Sequence, residues 1–320
     1  MSTVVLSGAT DPLGRRVASA LEGLASVDRV VTLDHADLAG GDLKNRIEGA
    51  DAVVHLEGGV DETRALLDAA GAVGVGHVVL LSSATVYGAW ANNPVPLTED
   101  APLRPNHELD FAVRAAERER LVAEWKSEHP TATAAVLRPT VSVAADANGW
   151  LATALREASA VRAAEPDDPP GQFVHLDDVA SAVGISLEQR LDGPFNVSPD
   201  GWIVGDALRA LAAVPPVRLP TRVVRRLALL RARFDPESAS PGLLPYTMHS
   251  WVIANDRIKA TGWRTTHTNE EAYVAGHPPA PWSTVSPQRR QELSLAGLGV
   301  LGAGVLAGIV WLIRRASRRG

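Results

Sequence analysis

The stretch TVVLSGATDPLG (residues 3–14) decides the fold. Residues 3–7 form a continuous apolar run of strand length, and a turn with glycine at both ends, Gly8 and Gly14, leads into a segment with helical spacing. Similar runs follow, with helix-period segments between them, at residues 29–33, 52–56, 77–81 and 133–137. Continuous runs of this kind are typical of parallel strands that crossover helices bury on both faces. The sequence therefore predicts an α/β fold built on a doubly wound parallel sheet.

Composition excludes several classes of protein. With 46% hydrophobic and 21% charged residues, the chain has the balance of a globular protein and not that of a disordered one. The net charge of −6 gives no general electrostatic case for a nucleic-acid partner. The absence of cysteine excludes disulfides, thiolate metal sites and cysteine nucleophiles. No histidine pair or carboxylate cluster has metal-ligand spacing, so no metal is predicted.

The predicted α/β domain covers residues 1–275 in two parts. Regular alternation of strands and helices marks residues 1–194 as a Rossmann-like core. From residue 195 to 275 the alternation weakens and prolines interrupt the chain, which indicates a smaller substrate lobe attached to the sheet.

The C-terminal segment is different in character. Residues 276–292 are a proline-rich connector expected to act as a semi-rigid spacer. Residues 293–313 are 21 positions without a charged residue, which as a helix would be roughly 30 Å long, enough to cross a bilayer. Arginines lie on both sides, four of them in the basic tail 314–320, and Trp311 lies near one end, so a transmembrane helix is favoured over packing in a soluble core.

Orientation in the membrane involves two opposing signals. The N-terminus lacks the basic flank and long apolar stretch of a signal peptide, so the main domain is expected on the cytoplasmic side of the cell membrane with a single span. The arginines of the tail favour the opposite orientation under the positive-inside tendency. Only a seven-residue tail would have to cross, so the cytoplasmic placement is the one predicted.

The first turn has the features of a nucleotide site. A turn between a strand and a helix can place backbone N–H groups and the positive end of the helix against a pyrophosphate. Asp34, twenty residues after Gly14, closes the second strand, where a carboxylate can accept both hydroxyls of an adenosine ribose. Such an acid would repel a 2′-phosphate, which favours NAD over NADP.

With these motifs in order, the chain resembles the NAD-dependent epimerase/dehydratase family, the extended short-chain dehydrogenase/reductases, over residues 3 to about 275. The motifs that carry the resemblance are GATDPLG (8–14), Asp34, GDL (41–43), DAVVHLEG (51–58), LLSSATVYG (80–88), LRPT (137–140), FVHLDDVA (173–180), PFNVS (194–198) and DRIKATGW (256–263). The resemblance implies an NAD cofactor held by Gly8, Thr10, Asp11, Leu13, Gly14, Asp34, Asp42 and Leu43. It also implies a homodimer through the helix that carries Phe111, with the membrane helix as a second possible contact.

Two positions of the nucleotide site depart from the family pattern. Asp11 stands where the family's middle glycine allows the backbone to approach the pyrophosphate, and a carboxylate there adds bulk and like charge, which weakens NAD binding or abolishes it. The alternative is that Asp11 caps the following helix, with Pro12 at its first position. Glu57 in HLEG replaces an alanine of the family's HLAA and is expected near the ribose or the nicotinamide.

The catalytic pair of the family is missing. Family enzymes use a Tyr-x-x-x-Lys pair on a helix, the tyrosine as acid/base and the lysine to lower its pKa, with a serine or threonine after the preceding strand. On the predicted helix 106–128, Phe111 and Ala115 occupy these two positions, and no Tyr-x-x-x-Lys exists elsewhere. Ser83 remains at the serine position, and Tyr87 is expected near the pocket mouth. These two hydroxyls are the weak catalytic candidates.

Residues 217–233 carry six arginines among apolar residues. This pattern fits a helix that lies on anionic lipid head groups, or an ordinary amphipathic helix of the lobe with solvated arginines. In the FVHLDD motif, His175 and Asp177 are predicted to be structural, holding a junction and capping a helix.

These observations lead to one functional hypothesis and one alternative. The hypothesis is a membrane-anchored, catalytically degenerate protein that binds a nucleotide or sugar-nucleotide-type ligand or a protein partner at the membrane. The alternative is an active NAD-dependent oxidoreductase or epimerase that acts on a sugar-nucleotide or lipid-linked substrate with recruited residues.

Overall fold

A computed structural model describes residues 2–159, 161–163, 168–212, 217–232 and 241–277. The predicted transmembrane helix (293–313), the basic tail (314–320) and nearly all of the connector lie outside these residues. Among the described helices, none has the length and apolar character needed to span a bilayer.

The described chain alternates strands and helices in its first half. The strands are β1 (Ser2–Ser7), β2 (Val27–Leu33), β3 (Ala52–His55), β4 (His77–Leu81), β5 (Thr133–Pro139), β6 (Val141–Ala144), β7 (Ala147–Asn148), β8 (Val161–Ala163), β9 (Phe173–His175), β10 (Gly193–Val197) and β11 (Val217–Leu219). The helices are α1 (Pro12–Glu22), α2 (His35–Ala39), α3 (Leu43–Arg46), α4 (Val60–Val73), α5 (Asp110–Glu128), α6 (Trp150–Ser159), α7 (Leu176–Glu188), α8 (Gly205–Ala212), α9 (Thr221–Ala232), α10 (Asp256–Ala260) and α11 (Asn269–Gly276). Short 3-10 helices lie at Ala84–Tyr87, Pro241–Leu243 and Pro245–Thr247.

The main sheet has six parallel strands in the order β10-β5-β4-β3-β1-β2. The α/β architecture with a parallel sheet is therefore confirmed, and the five apolar runs identified in the sequence are five of its strands. After β1, the chain forms β2 on one side of β1 and then crosses back to form β3 on the other side. The direction in which strands are added to the sheet therefore reverses between β1 and β3. In open α/β sheets, ligands bind in the crevice at the carboxyl ends of the two strands at such a point.

Two hydrophobic clusters cover the two faces of this sheet. Alternation along β1 sends Val4 and Leu6 into the cluster that contains α1 and α7, and Val5 into the cluster that contains α4 and α5. Fully burying one such side chain is worth about 1.5–3 kcal/mol, so a strand buried on both faces is strongly specified by an apolar run.

Smaller sheets belong to the second half of the chain. β6 pairs with β7 and β9, and β8 pairs with β11. A third hydrophobic cluster contains Tyr246, Trp251 and Ile253 together with residues that precede and line α5. The sixth strand of the main sheet is Gly193–Val197, so the predicted end of the core at residue 194 falls inside it.

Two predicted helix boundaries need correction. The helix expected from residue 106 begins at Asp110, because the Asn106 side chain accepts a hydrogen bond from the backbone N–H of Ala89 and holds residues 106–109 in a loop. The helical segment expected over residues 217–233 is divided, because residues 217–219 pair with β8 and Pro220 separates them from α9.

Helix α1 packs very closely on the turn that follows β1. A Cβ atom added to Gly14 would lie 1.9 Å from the carbonyl oxygen of Gly8. The glycine at position 14 is therefore required for the helix to approach the turn, in agreement with its place in the motif.

We expect Gly14→Ala to lower the free energy of unfolding by about 1–3 kcal/mol, because the added methyl group overlaps backbone atoms that cannot move independently of the sheet. Gly184→Ala is the matched control, since Gly184 lies inside α7 and an added Cβ would meet nothing within 4 Å. That control should raise stability by roughly 0.5–1 kcal/mol through helix propensity. Urea denaturation of the two variants measures both changes, and equal effects would contradict the packing argument.

Candidate functional site

Asp11 caps helix α1. Its backbone is extended, its carboxylate accepts a hydrogen bond from the Gly14 N–H at 2.5 Å, and Pro12 is the first helical residue. The capping alternative for Asp11 is therefore the one observed. The cap also places a carboxylate at the positive end of α1, where a pyrophosphate would be expected to bind, so the chain supplies its own anion there.

Glu57 adds a second carboxylate to the same turn. Gly8 has a φ of +81°, and the Glu57 Cγ lies 2.6 Å from the place a Cβ on Gly8 would take. The Glu57 side chain therefore folds over the turn. Its predicted place near the ribose or the nicotinamide of a bound cofactor stays a prediction.

A histidine links the acids around the crevice. His35 Nδ1 lies 3.1 Å from Glu62 Oε1, and His35 Nε2 lies 3.7 Å from Glu57 Oε1. The hydrogen bond to Glu62, followed by the charges of both glutamates, raises the pKa of His35 above its usual value. Because His35 follows β2 and Glu57 follows β3, this contact passes over the carboxyl end of β1, which lies between those strands.

Asp34 lies at the carboxyl end of β2, as predicted for an acid that binds the adenosine ribose. It is exposed, and its Oδ1 accepts the backbone N–H of Asp37 at 2.8 Å while the Asp37 carboxylate accepts the backbone N–H of Asp34 at 3.0 Å. The acid therefore also serves as the N-cap of α2.

The remaining predicted cofactor residues differ in how far they are buried and in their hydrogen-bond partners. Thr10 is exposed, and its carbonyl oxygen accepts from Arg15 Nη1 at 2.6 Å. Leu13 and Leu43 are buried in the two clusters that cover the sheet. Asp42 precedes α3 and accepts a hydrogen bond from the Asn45 side chain.

An NAD cofactor fits this turn only in part. The positive φ of Gly8, the close approach of Gly14 and the placement of Asp34 suit the adenosine half of a dinucleotide. The carboxylates of Asp11 and Glu57 do not suit a pyrophosphate, because like charges repel strongly where water is partly excluded.

Tyr87 is not at a pocket mouth, and this expectation is corrected. It ends the 3-10 helix that follows β4, and its side chain is 1% exposed. Its hydroxyl donates to Asn196 Oδ1 at 2.7 Å and accepts from Arg138 Nη1 at 2.7 Å. Burial raises the pKa of Tyr87 to about 12. The hydroxyl is thus fully used inside the protein.

The partners of Tyr87 form a buried polar network. Arg138 Nη2 pairs with Glu119 Oε2 at 2.6 Å, and both residues are buried. The Ser82 hydroxyl donates to Glu119 Oε1 at 2.5 Å. The network joins β4, β5, α5 and β10 and satisfies charges that would be costly if left alone in the interior.

Ser83 is also buried. Its Oγ accepts the backbone N–H of Thr85 at 3.3 Å and the Thr85 hydroxyl at 3.0 Å. The nearest polar partner of the retained serine is therefore a neighbouring threonine, which cannot act as a base at neutral pH.

The positions that the sequence assigns to the family's catalytic pair are apolar and packed. The half-buried Phe111 ring lies with its centroid 5.1 Å from that of Trp150, and Ala115 is buried. Both pack in the cluster that contains Tyr87 and Leu109. Neither side chain can transfer a proton or carry a charge.

One charged residue near these positions was missed at the sequence level. Arg118 lies three residues after Ala115, so the two share one side of α5. It is 9% exposed, and its Nε donates to Thr63 Oγ1 at 3.1 Å. Burial lowers the pKa of Arg118 to about 10, while Glu119, Glu57 and Glu62 oppose that shift. The signal in the sequence was an arginine one helical turn after Ala115.

A chain of hydrogen bonds leads from β1 to Arg118. Thr63 Oγ1 donates to the Gly59 carbonyl at 2.9 Å, so it accepts from both Arg118 Nε and His55 Nε2, the latter at 2.9 Å. The Nδ1 of His55 is then an acceptor, and the Ser7 hydroxyl donates to it at 2.5 Å. Burial, and after it the charge of Arg118, lowers the pKa of His55 well below its usual value. His55 is therefore neutral.

The FVHLDD motif forms a separate cluster. The His175 ring caps α7 by accepting the Asp177 N–H at 3.2 Å, and Arg16 pairs with Asp177 at 2.6 Å. His175 also stacks on His267, with ring centroids 3.9 Å apart and planes 23° apart. His175, Asp177 and His267 are close enough to one another to hold a metal ion. However, the two nearly parallel rings do not direct their nitrogen lone pairs to one point. The Asp177 carboxylate is also paired with Arg16, which neutralises its charge. The arrangement agrees with the structural role predicted for His175 and Asp177.

A parallel sheet with a glycine turn at the switch point defines a Rossmann-type nucleotide-binding fold. The model of the NAD dependent epimerase/dehydratase family matches residues 4–198. The chain belongs to this family. No curated protein matches the sequence.

Solved structures of similar fold include epimerases that act on UDP-sugars and a short-chain dehydrogenase/reductase superfamily protein. UDP-N-acetylglucosamine 4-epimerase from Bacillus cereus is 16% identical, with a TM-score of 0.60 over 85% of this chain and 97% of that one. UDP-glucose 4-epimerase from Thermus thermophilus, in complex with NAD, is 17% identical, with a TM-score of 0.62 over 86% and 97%. A short-chain dehydrogenase/reductase superfamily protein from Agrobacterium tumefaciens with bound NAD is 20% identical, with a TM-score of 0.62 over 92% and 99%. At these identities the likeness concerns the fold alone.

We expect Asp11→Ser to raise the affinity for NAD+ by roughly tenfold, about 1.4 kcal/mol, because serine keeps the helix cap and removes the negative charge. Isothermal titration of NAD+ into the full chain measures the change. Asp28→Ser is the control, since it removes the same charge from an exposed residue near the amino end of β2. Equal affinity in the native protein and in Asp11→Ser would contradict the charge argument.

Proposed function

We propose that the protein is a catalytically degenerate member of its family, anchored to a membrane, where it binds a nucleotide or sugar-nucleotide-type ligand or a protein partner. The observation that carries the first part is the packing of Phe111 and Ala115 at the positions of the family's tyrosine and lysine. General acid–base catalysis needs a titratable group within hydrogen-bond reach of the substrate. Neither residue provides one.

The remaining hydroxyls support the same proposal. Tyr87 has both of its hydrogen-bonding roles filled by Asn196 and Arg138, and its raised pKa disfavours the phenolate. Ser83 is buried against Thr85 and lacks a base. A substrate would have to displace parts of the core to reach either group.

The alternative is an active NAD-dependent oxidoreductase or epimerase that uses Ser83 and Tyr87 on a sugar-nucleotide or lipid-linked substrate. Its support is the fold shared with UDP-sugar epimerases and with a protein solved in complex with UDP-glucuronic acid and NAD. The burial of both hydroxyls makes this the second candidate.

We expect no turnover when the full chain is incubated with NAD+ and UDP-glucose or UDP-N-acetylglucosamine, as followed by NADH absorbance and by NMR of the sugars. Tyr87→Phe should lower the free energy of unfolding by about 1–3 kcal/mol, because Arg138 and Asn196 each lose a buried partner. Turnover that is abolished in Ser83→Ala would contradict the proposal and support the alternative.

The membrane part of the proposal rests on two features. One is the uncharged segment 293–313 between arginines. The other is the exposed face of α9, which combines cationic and apolar side chains: Arg222, Val223, Arg225, Arg226, Leu229 and Leu230. Each arginine near an anionic lipid surface contributes about 1 kcal/mol, and exposed leucines between the arginines can enter the head-group region. Anionic lipids of the cytoplasmic leaflet suit this face, in keeping with a main domain on the cytoplasmic side.

We expect the α9 face to contact anionic lipid in the full chain reconstituted into bilayer nanodiscs. The protein has no cysteine, so Leu229→Cys can carry a single environment-sensitive fluorophore. Its emission should shift to the blue in bilayers that contain phosphatidylglycerol but not in pure phosphatidylcholine. Val274→Cys on α11, 56% exposed against 51% for Leu229, is the matched control and should respond to neither lipid. Identical emission from the Leu229 label in both lipids would contradict the contact.

The proposal also includes a homodimer through α5, the helix that carries Phe111. Sedimentation equilibrium of the full chain in detergent tests it. A protein mass of twice 33.8 kDa supports the dimer, and the monomer mass contradicts it.

A further inference from the structure

Arg118 is a buried cation whose hydrogen bonds are incomplete. Its Nε is bonded to Thr63, but its Nη2 is buried and has no partner in the part of the chain that the structure describes. The described carboxylates are beyond ion-pair distance, although Glu119, Glu57 and Glu62 are near enough to act on its charge. A guanidinium donor left open in the interior costs free energy, and such a group in a native protein needs an explanation.

The place of Arg118 connects it with the crevice. Thr63, its partner, lies in the first turn of α4 and is bonded to His55, the last residue of β3. Glu57 follows two residues after His55 and lies over the Gly8 turn. Arg118 therefore stands at the carboxyl end of β3, beside the point where the order of the sheet reverses.

The charges around the crevice are distributed unevenly. Asp11 and Glu57 place negative charge at the glycine turn, and the positive end of α1 is already capped. Arg118 is a cation at the carboxyl end of β3, held by its Nε, and its buried Nη2 has no partner in the described chain. An anionic group that enters the crevice is repelled at the turn and attracted at Arg118.

We propose that Arg118 is a binding residue for the anionic oxygen of a ligand, with phosphate as the chemical class, and that it replaces the helix N-terminus as the anion-binding element of this crevice. The proposal rests on the nucleotide-type ligand proposed above. It adds Arg118 as the residue that contacts the negative charge of that ligand. A planar guanidinium with open donors suits phosphate oxygens in charge and geometry.

The test uses Arg118→Met in the full chain, purified in mild detergent, with thermal unfolding followed by tryptophan fluorescence. The probes are inorganic phosphate, pyrophosphate, NAD+ and UDP-glucose, which separate free phosphate from nucleotide. A ligand that binds the native state raises the melting temperature. We expect at least one probe to raise it in the native protein and no probe to raise it in Arg118→Met.

The ligand-free variant gives a second, independent readout. Methionine fills a similar volume without a charge, and Thr63 keeps its bonds to His55 and Gly59, so no other buried group loses its only partner. The melting temperature of ligand-free Arg118→Met should therefore rise by about 2–4 °C. A structural cation would give the opposite sign.

Arg64→Met is the control, because it removes the same charge from an exposed residue next to Thr63. It should keep the native response to every probe. If Arg118→Met does not fold, Arg118→Lys retains the charge with fewer donors and should show a reduced response.

Three results would overturn the inference. The first is an unchanged ligand response in Arg118→Met or Arg118→Lys, which would leave the proposed nucleotide binding intact. The second is a lower melting temperature of ligand-free Arg118→Met, which would assign Arg118 a structural role. The third is the absence of a response to any probe in the native protein, which would overturn nucleotide binding as well.

Discussion

The contact between Gly14 and Gly8 determines how the rest of the crevice is built. It brings α1 against the turn after β1 so closely that no side chain can stand between them. Because β1 has a strand on each side, the positive end of α1 is fixed at the carboxyl edge of the sheet, next to β1. Such a helix end requires water, an anion or a capping side chain. In this chain the Asp11 carboxylate caps the helix. A carboxylate therefore lies where the family's fold binds a phosphate.

The parts of the fold that were predicted from sequence depend on local physics. A strand buried on both faces must be apolar at every position, so five strands could be located from their runs alone. The same reasoning missed β10 as a sheet strand, because Gly193 and Pro194 occupy its first two positions and obscure the run. It also placed the start of α5 four residues too early, since the hydrogen bond from Ala89 to the Asn106 side chain spans 17 residues and leaves no periodic signal.

The candidate site could be predicted only in part, for the same reason. Asp11 as a helix cap follows from Asp-Pro at the start of a helical segment. The burial of Tyr87 does not, because its partners Arg138 and Asn196 are 51 and 109 residues away. Arg118 could not be predicted in the same way, because the family motif covers only the two positions of the catalytic pair. That its Nη2 has no hydrogen-bond partner is known only from the positions of Thr63 and His55 around it.

The structural core of the site is separate from the two positions assigned to the family's catalytic pair. The network of Tyr87, Arg138 and Glu119 is buried and paired, and none of its hydrogen bonds uses Phe111 or Ala115. The positions that carry proton transfer in the family and the residue that holds this network, Glu119, are therefore different positions of the same helix, α5. With two carboxylates at the turn and a buried guanidinium at the carboxyl end of β3, the proposed ligand site moves the attraction for an anion from the backbone of α1 to a side chain of α5.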